Sequence, residues 1–132
     1  MDLSDFAPPL DNIVVTLKRG NTVLKNDDET DMTWTFYAPL SPEAKRIAHE
    51  FTDKRVKEAQ ANDGEFRKLT SAEMEQIGIE NIVKTTAEWN ITWQGTKPEF
   101  TVELGKEIMN RVPFIRASVE KAFEANVNFT PV

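Results

Sequence analysis

Cysteine is absent from the 132 residues, and histidine occurs once. The first absence removes disulfides, thiolate zinc sites, iron–sulfur clusters and cysteine nucleophiles. The second puts a His-rich metal site out of reach of a single chain. The five glycines, Gly20, Gly64, Gly78, Gly95 and Gly105, are scattered, so no glycine-rich strand-to-helix loop forms a phosphate cradle. No apolar run approaches the roughly 20 residues that span a bilayer. The start Met1-Asp2-Leu3-Ser4-Asp5-Phe6 carries acids where a secretory leader carries positive charge. Cations are short as well: 16 Lys and Arg against 22 Asp and Glu leave a net charge of -6. That balance is wrong for a duplex-binding face. No membrane, no nucleic acid and a cytoplasmic location are the resulting expectations.

What is present suits one globular domain over residues 1–132, with 39% hydrophobic and 29% charged residues. Residues 1–11, with Ala7-Pro8-Pro9-Leu10, read as an extended arm, because two prolines fix φ and remove donors. Ile13, Val15 and Leu17 alternate along a strand from Asn12 to Lys18, and Arg19-Gly20-Asn21 is turn chemistry. Val23-Leu24-Lys25 pairs back as a short strand. Asn26-Asp27-Asp28-Glu29-Thr30-Asp31 reads as a solvated loop, and Met32, Trp34 and Phe36 mark a second firm strand.

Helix signals follow. Ser41-Pro42-Glu43 starts a helix to about Gln60 with the stripe Ala44, Ile47, Ala48, Phe51, closed by Asn62-Asp63-Gly64. Thr70-Ser71-Ala72-Glu73 fits a capping box. Beyond it Met74 and Ile77 lie on one face and Ile79, Ile82 and Val83 on another, with a kink or break expected at Gly78. Trp89 to Trp93 alternates like a strand before the turn at Gln94-Gly95. Thr101 caps a helix with Leu104, Ile108 and Val112, Pro113 interrupts it, and a last helix carries Ile115, Val119, Ala122 and Phe123. Residues 127–132 read as a tail. The fold class is α+β: a small N-terminal antiparallel sheet or hairpin followed by a bundle of four to five short helices.

Catalysis finds no footing in this pattern. His49 with Asp53 four residues on reads as a helix-surface pair, since no second histidine or cysteine joins it. Ser4, Ser41, Ser71 and Ser118 lie in no nucleophile-elbow context. The acids of the 27–31 run lack the alternating ligands of a calcium loop. Lys45, Arg46, Lys54, Arg55 and Lys57 are interleaved with Glu43, Glu50, Asp53 and Glu58, a salt-bridged surface more than a docking field. Trp34 belongs to the core. Trp89 and Trp93 point the same way whether strand or helix, and read either as core or as a partner-facing patch. With Phe114 and with Phe6 in the arm they are the candidate partner contacts. No catalytic, cofactor or metal residue is assigned.

Asn81-Ile82-Val83 leading to Trp89, the polar turn through Gly95, and Phe100-Thr101 opening a helix with Leu104, Ile108 and Met109 form a recognisable rhythm. With Pro113, Ile115, Ala122 and Phe123 behind it, and Trp34, Phe36 and Leu40-Ser41-Pro42-Glu43 ahead, it resembles tail assembly chaperones of long-tailed bacteriophages over residues 12 to about 126. The resemblance implies a non-enzymatic protein of the host cytoplasm that binds and solubilises the tape measure protein. It also implies recruitment of tail tube protein and self-association as a homo-oligomer. A structural virion protein, such as a head–tail joining or minor tail subunit, is the alternative; a small acidic inhibitor of a host defence protein is the second.

Overall fold

Trp34 and Phe36, two residues apart on one strand face and both fully buried, form the centre of the fold. A computed structural model describes residues 2–126. Around these rings run β1 (Ile13–Thr16), β2 (Lys18–Arg19), β3 (Thr22–Val23), β4 (Thr33–Phe36), α1 (Pro42–Ala61), α2 (Ser71–Lys84), β5 (Thr86–Asn90), α3 (Val102–Arg111) and α4 (Pro113–Asn126). The architecture is α+β, with an antiparallel three-stranded sheet in the order β1-β4-β5 and the β2–β3 hairpin beside it. Its third strand comes from the second half of the chain. The expected tail at 127–132 lies outside the described residues.

Period-two patterning sets the sheet faces. Ile13 and Val15 pack inward and Leu17 is buried, while Val14 between them is 62% exposed. The strand expected from Asn12 to Lys18 divides at Leu17 because the chain there changes partner. Leu17 N–H donates to the Met32 carbonyl (2.9 Å), Met32 N–H to that of Leu24 (2.9 Å), and Leu24 N–H to that of Leu17 (3.0 Å). This closed ring of three backbone bonds turns the ladder from β4 to β3. Gly20, at φ +63, makes the hairpin turn.

The acidic run is anchored at its base, although its carboxylates stay exposed. Asn26 is 4% exposed. Its side-chain oxygen accepts from the Thr92 hydroxyl (2.8 Å), and its amide group lies against the Thr30 and Asn90 carbonyls at 3.3 Å each. Lys97 also holds Asp28 at 2.7 Å. This ion pair, with help from Thr30, keeps the Asp28 carboxyl well below the ordinary carboxylate range.

The helices begin where cap chemistry places them. The hydroxyls of Ser41, Thr70 and Thr101 accept from the amides of Ala44, Glu73 and Leu104, and Pro113 separates α3 from α4. Three expectations are corrected. The arm is not extended throughout: Leu3–Phe6 forms a 3-10 turn, because the Asp2 carboxylate accepts from the Ser4 amide (2.9 Å) and hydroxyl (2.8 Å). Nor is α2 broken at Gly78, since a helical glycine weakens the ladder without removing a bond. The strand expected over Trp89 to Trp93 instead starts at Thr86, directly after the α2 cap, and pairs Trp89 with Trp34.

Ile79, Ile82 and Val83 of α2, Ile108 and Met109 of α3, and Ile115 and Val119 of α4 close over the sheet. Aromatic contacts run from Trp34 to Trp89 (centroids 5.2 Å), from Trp89 to Phe100 (4.9 Å) and from Phe36 to Phe123 (5.6 Å), all edge-to-face. α1 is different. Only Ile47 and Ala59 are buried along its 20 residues.

The two helical glycines predict opposite outcomes. A Cβ on Gly105 would lie 2.7 Å from a Val83 methyl in the packed α2–α3 contact, whereas one on Gly78 meets nothing within 4 Å. Gly78→Ala should stabilise by about 0.5–1 kcal/mol through helix propensity. Gly105→Ala should destabilise by about 1–2 kcal/mol, overpacking outweighing that gain. Urea unfolding checks both, and adding Val83→Ala should relieve the second.

Candidate functional site

α2 has two apolar faces. One is spent on the core; the other, through Ile77, looks toward α1 across a groove of about 380 Å³. Ile47 and Phe51 of α1 form one wall, Ile77 the other, and Leu69 of the α1–α2 connection closes one end. Phe51 is 44% exposed where the helix stripe predicted burial. The reason is composition: α1 has too few apolar side chains on that side to seal against α2.

The rim is charged and largely self-neutralised. Arg55 pairs with Glu58 (3.3 Å), Arg67 with Glu73 (2.6 Å) and Lys84 with Glu80 (2.9 Å). Lys54 and Glu50 also line the groove, so its four cations and four carboxylates balance. Arg55 also extends over the exposed Phe66 ring at 5.3 Å. Glu73 serves twice, as groove rim and as capping-box acid of α2. The Arg67 guanidinium, joined by the Thr70 amide and hydroxyl, holds its carboxyl down from 4.5 to about 2. The same pair raises Arg67, and the Lys84 ammonium lowers Glu80. With most of the rim ions engaged on one another, the largest unused surface of the groove is its apolar floor.

The four residues named from sequence lie elsewhere and do not converge. Trp89 is half-buried between Trp34 and Phe100, with its indole N–H donated to the Pro98 carbonyl (2.9 Å). Trp93 is half-buried beneath Arg111 (5.4 Å). Phe114, 38% exposed, lies under Arg19 (5.2 Å), and Phe6, 44% exposed, belongs to the 3-10 turn. None of these four rings stacks on another of the four among the described residues. Sequence reasoning passed over Phe51, Leu69 and Ile77 as a set, although the two apolar faces of α2 were the signal that it has two neighbours.

Among the described residues no three His, Asp or Glu side chains lie close enough to hold a metal ion, and no helix is long and apolar enough to cross a membrane. His49 sits exposed on α1. Set against protein families, characterised proteins and solved structures, the chain matches none.

The rim predicts a pH response. Because folding lowers the Glu73 pKa, its stabilisation is whole above about pH 4.5 and is lost as pH falls through about 2. A carboxyl-detected NMR titration should place its midpoint near 2, and Arg67→Ala should move that midpoint back toward 4.5.

Proposed function

We propose that this protein is a non-enzymatic tail assembly chaperone of the long-tailed-phage type, and that its α1/α2 groove receives the apolar stripe of a helical segment of the tape measure protein. The observation that carries the reading is the groove itself: an open apolar floor between two helices, with three of its four rim cations already paired to rim carboxylates. A small polar substrate would need convergent unpaired polar groups, which this rim does not offer. An amphipathic helix needs a trough for its anchor side chains and a rim indifferent to net charge, and this groove supplies both. The sequence rhythm that resembles such chaperones supports the same reading.

A groove of this volume takes one or two large side chains, so each contact is modest. A long client repeats its stripe, and many copies hold it by avidity yet leave singly as tail tube subunits arrive. The chain's net charge of -6 keeps a coated client soluble.

Co-expression with an insoluble tape measure segment is the test. The native protein should bring the segment into the soluble fraction and co-purify with it. Phe51→Asp should abolish this while changing stability by less than about 1 kcal/mol, because Phe51 is already exposed. A segment that stays insoluble with the native protein, or is held equally well by Phe51→Asp, overturns the proposal.

A further inference from the structure

Among the described residues, one edge of the sheet is open. β1 pairs with β4 in the register Ile13 to Phe36 and Val15 to Trp34, and Leu17 N–H continues that side by donating to Met32. Bonding direction alternates along an antiparallel strand, so the amides and carbonyls of Val14 and Thr16 face the opposite way. β2 turns to β3 through the same side as Leu17, since the Leu17 carbonyl accepts from Leu24. Among the described residues the outer side therefore stays unpaired past the β1–β2 junction. Among the described residues nothing hydrogen-bonds to the backbone of Val14 or Thr16 there. Ile13-Val14-Val15-Thr16 carries no charge, proline or bulge, the usual guards of such an edge.

The edge also has a charge polarity. Asp2, Asp5 and Asp11 precede it, and Lys18 and Arg19 follow it. We propose that β1 pairs antiparallel with β1 of a second copy of this chain across a twofold axis, joining the two sheets into one. Only outward-facing residues can bond, which restricts the register to even positions opposite even positions. Setting Val15 opposite Val15 pairs Val14 with Thr16, Asn12 with Lys18, and Asp11 with Arg19, each twice by symmetry. The neighbouring register, with Val14 opposite Val14, sets Asp11 against Leu17 and gains no charge pair. Pro8 and Pro9 end the ladder on one side and the Gly20 turn on the other. An unrelated strand would meet this polarity by chance; the chain's own antiparallel copy meets it by construction. The pairing uses no groove residue and stands whether or not the groove holds a client.

Charge exchange tests both partner and register. In sedimentation velocity the full chain should run at twice its monomer mass, reversibly with dilution. Asp11→Arg and Arg19→Glu should each raise the dissociation constant roughly tenfold, two cross-strand pairs turning from attraction to repulsion. Mixing the two variants should restore native affinity as a heterodimer, in which both contacts are matched again. Val14→Pro, which leaves the β4 ladder intact and removes an outward N–H, should be monomeric with an unchanged circular dichroism spectrum; it serves in place of Arg19→Glu if losing the stack on Phe114 unfolds that variant. Hydrogen exchange at Val14 and Thr16 should slow as protein concentration rises. A native chain that is monomeric throughout, single charge variants that dimerise like the native chain, or a mixture that gains nothing would each overturn the proposal. Protection independent of concentration would also overturn it, by assigning the edge to the chain's own residues 127–132. Protection appearing only with a tape measure segment would assign it to the client.

Discussion

A buried indole N–H must find an acceptor, and much of this fold is arranged around the one that Trp34 finds. Trp34 has no exposure, and its Nε1–H donates to the Thr86 hydroxyl at 2.8 Å, which in turn donates to the Ile82 carbonyl at 3.0 Å. An unmet donor at that depth would cost about 1–3 kcal/mol. The relay fixes the corner where α2 ends and β5 begins, and so sets the register that lays Trp89 against Trp34. From there Phe100 reaches Trp89, and α3 closes on α2 at Gly105. One satisfied donor thus links central strand, edge strand and helical layer.

The features readable in the sequence are those whose causes are local. A cap hydroxyl and its amide lie three residues apart, so Ser41, Thr70 and Thr101 announced their helices, and proline at 113 announced a boundary. Alternation in Ile13, Val15, Leu17 and in Met32, Trp34, Phe36 likewise needs only the pleat. What escaped depends on distant partners. Thr86 begins a strand only because Phe36 lies opposite, 50 positions earlier in the chain. The change of apolar face across Gly78 predicts a kink or break, but α2 runs through it unbroken, with Ile79, Ile82 and Val83 packed on the core.

The groove was the least legible feature. Its floor draws on α1, on α2 and on the segment between them, and whether Phe51 is covered depends on how closely α1 settles. Residue type pointed to tryptophans, which are large and rare, yet Trp89 has its ring edges and its N–H occupied within the fold. The contrast is instructive. A conspicuous aromatic is more often consumed by its own core than offered to a partner, and the surface left over is made of ordinary side chains on the less hydrophobic helix.

The Trp34–Thr86 bond also spans 52 positions, and all of α1 lies inside the loop it closes. Loop-closure entropy grows only logarithmically with length, so an excursion of this kind burdens folding little whether it holds four turns or six. Since α1 buries only two residues, its length and sequence are nearly decoupled from the nucleus formed by the sheet and the other helices. The chain therefore carries a segment free to diverge quickly in evolution, reshaping one wall of the groove while the scaffold behind it stays fixed.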